Sequence, residues 1–189
     1  RINAYGERRG ILVEHYIISS GLREIIEGTA IAKDFTHIYA SSFYYNEHGE
    51  PCWPAQVINY TNKTQFLFRI EKGILDINDN AVNDHFAEGE LRVPFRNIVY
   101  IGDSATDIPC MRLVNSLGGH SVGVYDLENT ESKDTVRRMI RDERIRYYVP
   151  ADYTKGSEMD TLMHQIIDKT AAYEVLEGKH LRDRKEAVR

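Results

Sequence analysis

Short apolar runs alternate along this chain with charged, amphipathic stretches. The runs are Leu12–Ile18 (L-V-E-H-Y-I-I), Thr36–Ser42 (T-H-I-Y-A-S-S), Ile98–Ile101, Ser121–Tyr125 (S-V-G-V-Y) and Ile145–Val149. Their lengths, and the glycine or small polar residues that close several of them, predict strands. Between them, Leu22–Gly28, Thr64–Lys72, Thr106–Asn115, Lys133–Arg144 and Ser157–Gly178 predict helices. Thr64–Lys72 places Phe66, Leu67 and Ile70 on one face. Ser157–Gly178 does the same with Met159, Leu162, Met163, Ile166 and Ile167. Pro109 suits a first helical turn, and Gly118-Gly119 a helix end. Strands alternating with helices predict an α/β fold: a doubly wound, mostly parallel Rossmann-like sheet with right-handed crossovers.

Two stretches interrupt the alternation. Residues 41–58 hold N-E-H-G-E between aromatic flanks, which predicts a β-hairpin. Its Phe43, Tyr44, Tyr45 and Trp53 suit either a substrate entrance or simple hairpin packing. Residues 76–96 are acidic and turn-rich, which predicts an irregular surface connection. D-I-N-D-N within it lacks the glycine and terminal glutamate of a calcium loop. Arg1–Arg9 has the character of the end of a polar helix, and residues 177–189 that of a charged, fraying tail.

A chain of 189 residues is one domain of ordinary size. Its net charge of -5, with no Lys/Arg-rich run, argues against nucleic acid or an anionic membrane as partner. No apolar run approaches the roughly 20 residues of a membrane span. Cys52 and Cys110 stand in unrelated contexts, and predict buried free thiols of a reducing, cytoplasmic compartment. The seven histidines show no zinc-site spacing. Two Asn-X-Thr sequons, at Asn59 and Asn62, come without a secretion signal.

Candidate chemistry gathers at three places. In N-I-V-Y-I-G-D-S-A-T-D (Asn97–Asp107), an apolar run ends in Gly102 and Asp103, and a second carboxylate, Asp107, follows four residues later. Ligands of open α/β sheets bind beyond the carboxyl ends of strands, and carboxylates there suit a hard cation such as Mg²⁺. The alternative is ordinary turn or N-cap chemistry at Asp103. Ser19-Ser20-Gly21 lies between a strand and a helix and offers hydroxyls and backbone N–H groups to a phosphate, or merely a cap. Lys63 opens the Thr64–Lys72 helix, where the macrodipole disfavours a cation; it needs either an anion or exposure. Lys33 and Lys72 are rivals, but Lys72 lies at a helix C-terminus, where a cation is expected.

I-I-S-S-G at a strand end, a lysine opening a helix, and I-G-D-S-A-T-D at a later strand end occur in this order. Together they resemble the haloacid dehalogenase-like (HAD) hydrolase superfamily, from its second motif to the end of its core. The hairpin resembles that of the phosphoserine-phosphatase-like branch. The resemblance implies a Mg²⁺-dependent phosphatase acting on a small phosphorylated metabolite through an aspartyl-phosphate. Ser19, helped by Ser20 or Gly21, would bind the phosphoryl group. Lys63 would neutralise the nucleophile and the phosphoryl oxygens. Asp103 would bind Mg²⁺, and Asp107 would support it as a second-shell ligand or as the partner of Lys63.

The family's first motif, D-x-D-x-T on the first strand, is absent, and nothing before Leu12 could supply it. In the family that strand is central, and its first aspartate is the nucleophile. The expectation is therefore a C-terminal portion of a HAD core, lacking its central strand and its cap. The missing N-terminal segment of the same protein would be its partner. The other readings are a catalytically inactive HAD-like binding module, and a dehalogenase. The acidic G-D-S-A-T-D pair argues against dehalogenation, which needs no Mg²⁺.

Overall fold

The alternation of pattern along the chain becomes an alternation of elements. In chain order they are α1 (Ile2–Arg8), β1 (Tyr16–Leu22), α2 (Arg23–Glu27), β2 (His37–Tyr45), β3 (Pro51–Gln56) and α3 (Thr64–Lys72). There follow β4 (Val99–Gly102), α4 (Ile108–Ser116), β5 (His120–Tyr125), α5 (Thr130–Arg141), β6 (Tyr147–Pro150) and α6 (Glu158–Ala187). These come from a computed structural model that describes residues 1–187; Val188 and Arg189, the end of the expected tail, lie outside the described residues. The chain divides into two compact units: His15–Tyr148, and Arg1–Glu14 together with the chain from Val149 onward.

The larger unit is α/β, but its strands form two three-stranded sheets, ordered β1-β2-β3 and β4-β5-β6. β1 and β2 are parallel, as are β4 and β5, while β2 and β3 make the antiparallel hairpin. Two apolar clusters form the core. One joins Leu67, Phe95, Ile98, Tyr100, Cys110, Met111, Val114, Val136 and Met139; the other joins Tyr39, Ile58, Phe66 and Ile70. Helix α3 serves both, sending Leu67 into the first and Phe66 and Ile70 into the second. Ile18 of β1 also packs against both. The two clusters thus share one covering helix, and β1 and β4 are each the end strand of a sheet.

Those end strands are incompletely covered. Among the described strands β1 pairs only with β2, and β4 is joined only to β5. Ile17 and Ile18 are only half-buried, and Ile101 is 39% exposed although it sits in the central apolar run. Neither strand carries the charge or proline by which proteins usually protect an open sheet edge.

Several boundaries differ from the expectation. The first strand begins at Tyr16, not Leu12, and runs on through Ser19-Ser20-Gly21. Parallel pairing to β2 resumes at Leu22 after a register shift, so these small residues form an irregularity inside the strand and no turn after it. Helix α5 starts earlier, at Thr130, because the Asn129 side chain caps it by accepting from the Ser132 N–H. The last strand begins at Tyr147 rather than Ile145. Helix α6 continues past Gly178 to Ala187, with Lys179 and Asp183 paired one turn apart. Cys110 is buried as expected, but Cys52 is exposed on the hairpin. The hairpin aromatics are largely exposed as well, with Tyr44 directly across from Trp53.

The 76–96 connection is irregular, with three short 3-10 turns, and two cations of α3 organise it. The buried Arg69 guanidinium donates to the carbonyls of Asp76, Ile77 and Asp79, and Lys72 Nζ to those of Val82 and Asp84. Lys72 is therefore committed to the loop, and the rival Lys33 is exposed in a single 3-10 turn.

In the smaller unit α1 is tied to α6 by charge. Arg1 pairs with the buried Asp160 at 3.0 Å, and Arg9 with Asp168 at 2.8 Å. The Gly156 N–H, and then Arg1 and His164, hold the Asp160 carboxyl below its ordinary value of 3.8. A carboxyl lowered in the folded state stabilises above its unfolded value and loses that contribution as pH falls through the folded one. Acid below about pH 4 is thus expected to loosen this docking. Far-UV circular dichroism of parent and Asp160→Asn should show the parent alone acquiring this acid sensitivity. Equal acid profiles would contradict it.

Candidate functional site

The C-terminal ends of β1, β2 and β4 lie on one side of the larger unit, linked by a chain of hydrogen bonds. Ser41 Oγ of β2 donates to the Ser20 carbonyl at 3.1 Å and accepts from the Ile58 N–H at 3.0 Å. The next residue, Asn59, accepts the Lys63 N–H, which starts α3. Lys63 Nζ then reaches Asp107 Oδ1 at 2.8 Å, in the turn that follows β4. Gly102 and Pro109 make that turn possible: β4 stops at the glycine, and Pro109 falls in the first turn of α4, where its missing N–H costs nothing.

Lys63 and Asp107 are each 6% exposed, so neither is a solvated surface charge. Of the two sequence options for Lys63, the structure shows the paired one. Asp107 is fully engaged. Its Oδ1 also accepts from the Tyr100 hydroxyl at 2.9 Å, and its Oδ2 from Ser104 Oγ at 3.1 Å. A carboxylate with three protein donors, one of them a lysine counter-charge, is the partner of Lys63 rather than a ready metal ligand. Tyr100 was missed by sequence reasoning, because a tyrosine inside an apolar strand is the ordinary signature of core packing. Burial, then Cys110 and Asp107, raise its hydroxyl pKa, so it stays a donor. Burial likewise pushes the Cys110 thiol up to about 11, which leaves it unreactive at neutral pH.

Asp103 is exposed at the end of β4, with no protein partner among the described residues. Ser19 Oγ accepts from the Gly21 N–H at 3.0 Å, so its own proton is left to donate elsewhere. Gly21 thereby spends its N–H on Ser19, and the hydroxyl is the better phosphate donor of the two. The Ser20 carbonyl is taken by Ser41.

The donor set has a definite chemical bias. No group of three or more His, Cys, Asp or Glu side chains among the described residues could hold a metal. Asp103 is a single free carboxylate. It does suit Mg²⁺, which is commonly held by one or two carboxylates with substrate phosphate and water completing six positions. Asp103 would supply such a carboxylate, with Asp107 one turn away.

Among the described residues no helix is long and apolar enough to cross a membrane. No protein-family model matches the chain. It is 24% identical over 172 residues to an uncharacterized protein of Borreliella burgdorferi, an alignment covering 84% of this chain. The chain spans 59% of the length of that curated relative.

Proposed function

We propose that this chain is the phosphate- and Mg²⁺-holding part of a HAD-like phosphomonoester hydrolase. Its aspartate nucleophile lies on a strand from outside these residues, which fills the seam between β1 and β4. The observation that carries the reading is the buried Lys63–Asp107 pair, set beside the unpartnered Asp103 where strand ends converge. The uncovered apolar edges of β1 and β4, each the end strand of a sheet, support the missing strand.

Phosphoryl transfer is mostly positioning and stabilisation of charge. Ser19 donates its hydroxyl proton to a phosphoryl oxygen. Lys63 has three N–H donors and spends one on Asp107, leaving two for phosphoryl oxygens and the incoming carboxylate. Asp107 keeps the ammonium aimed. Asp103 would hold Mg²⁺, which when bound would neutralise the phosphoryl charge. The substrate class that suits these groups is a small phosphorylated metabolite.

The inactive binding module is the weaker reading. Burying an ion pair costs desolvation that apolar residues of the same volume would avoid. A scaffold with no charge to stabilise has no use for the pair.

Asp103→Asn tests the metal assignment in the complete protein. Mg²⁺-dependent phosphate release should fall by about 100-fold or more, as when one transition-state stabiliser is removed. Stability should change by no more than about 0.5 kcal/mol, because the side chain is exposed. Unchanged release would overturn the assignment.

A further inference from the structure

Strand residues two apart share a face, so Tyr100 and Gly102 look the same way from β4. A Cβ at Gly102 would stand 2.7 Å from the Asp107 Cβ and 2.8 Å from its Oδ2. The absent side chain therefore leaves the space in which Asp107 folds back over the end of the strand. The Tyr100 hydroxyl reaches that same carboxylate from below, donating 2.9 Å to Oδ1, the oxygen that also takes Lys63. Tyr100 itself is 7% exposed and packed among Leu67, Cys110 and Met111, so its ring has little room to swing away. Ser104 fixes the other oxygen at 3.1 Å.

A valine or isoleucine would fill this strand position as well, and would bury no hydroxyl. The hydroxyl does something packing does not: with Ser104 it fixes the orientation of a carboxylate whose only charged partner among the described residues is Lys63.

We propose that Tyr100 is a positioning residue. Its hydroxyl locks the Asp107 carboxylate, and through it sets the direction of the Lys63 ammonium. The phosphatase reading enters only in what Lys63 faces; the positioning itself concerns this chain alone.

The test follows the Lys63 ammonium by ¹⁵N NMR in this chain, where a buried, hydrogen-bonded ammonium exchanges its protons slowly. Tyr100→Phe keeps the ring and removes the hydroxyl. Proton exchange at Lys63 should speed up about tenfold or more, the scale of one lost charge-assisted hydrogen bond. Val114→Ala loosens the same apolar cluster without touching Asp107, and should leave that exchange at the parent rate. Equal exchange in parent and Tyr100→Phe overturns the proposal. So does equal acceleration in both variants, which would make Tyr100 a packing residue. In the complete protein Tyr100→Phe should lower kcat with KM near the parent value. A protein with no phosphatase activity would defeat the functional reading, while the exchange rates would still decide the role of Tyr100.

Discussion

Lys63→Met is expected to destabilise the chain by about 3–5 kcal/mol, the usual effect of removing one partner from a buried ion pair. At this chain length that corresponds to roughly 6–20 °C in Tm. The cause is Asp107, a buried carboxyl left with only the Tyr100 and Ser104 hydroxyls as partners. Methionine keeps most of the volume, so the loss is electrostatic rather than a cavity. Replacing both partners, Lys63→Met with Asp107→Leu, should recover part of the deficit, since the buried charge is then gone. Urea unfolding of the four proteins measures both effects. A loss below about 1 kcal/mol in Lys63→Met would put the pair among solvated surface bridges, against its burial here.

The second large effect concerns the seam. Amides of β1 and β4 that face it have no strand partner among the described residues, and are expected to exchange with solvent at nearly open-chain rates. The proposed strand, if present in the complete protein, should slow the same amides by about a thousandfold or more. That factor matches roughly 4 kcal/mol of added local stability. Amides of β5, which lies between β4 and β6, serve as the internal reference. Hydrogen exchange read by NMR or mass spectrometry separates the two sets. Equal protection of β4 and β5 in this chain would show that the edge is not open.

How much of this was legible in the sequence differs from element to element. Helix α3 matches its expected limits, Thr64 to Lys72, because three local signals agree there: an apolar face of Phe66, Leu67 and Ile70, a glycine stop, and basic residues in the last turn. β1 was misplaced because Leu12 and Val13 are as apolar as a strand, while Ser19–Gly21 have the composition of a turn. Parallel pairing to β2 overrode both preferences. The end of α6 was hidden by Gly178 and by its charge, although pairs such as Lys179–Asp183 favour a helix.

For the candidate site, Lys63, Asp103 and Asp107 were visible as polar residues at helix and strand ends. Their arrangement was not, since Lys63 and Asp107 are 44 residues apart and meet only through tertiary packing. Sequence left Asp107 with two options, and the distances show the lysine partner. Tyr100 and Ser104 carried no signal of their own, because a strand tyrosine and a turn serine are ordinary residues of their settings.

The most direct test of the central claim is to trap the phosphoryl group. The complete gene product would be incubated with Mg²⁺ and a ³²P-labelled phosphomonoester, quenched in acid and mapped by peptide. The account predicts Mg²⁺-dependent phosphate release and label on one aspartate lying outside these 189 residues. Label on a residue within this chain, or no release with the complete protein, would contradict it.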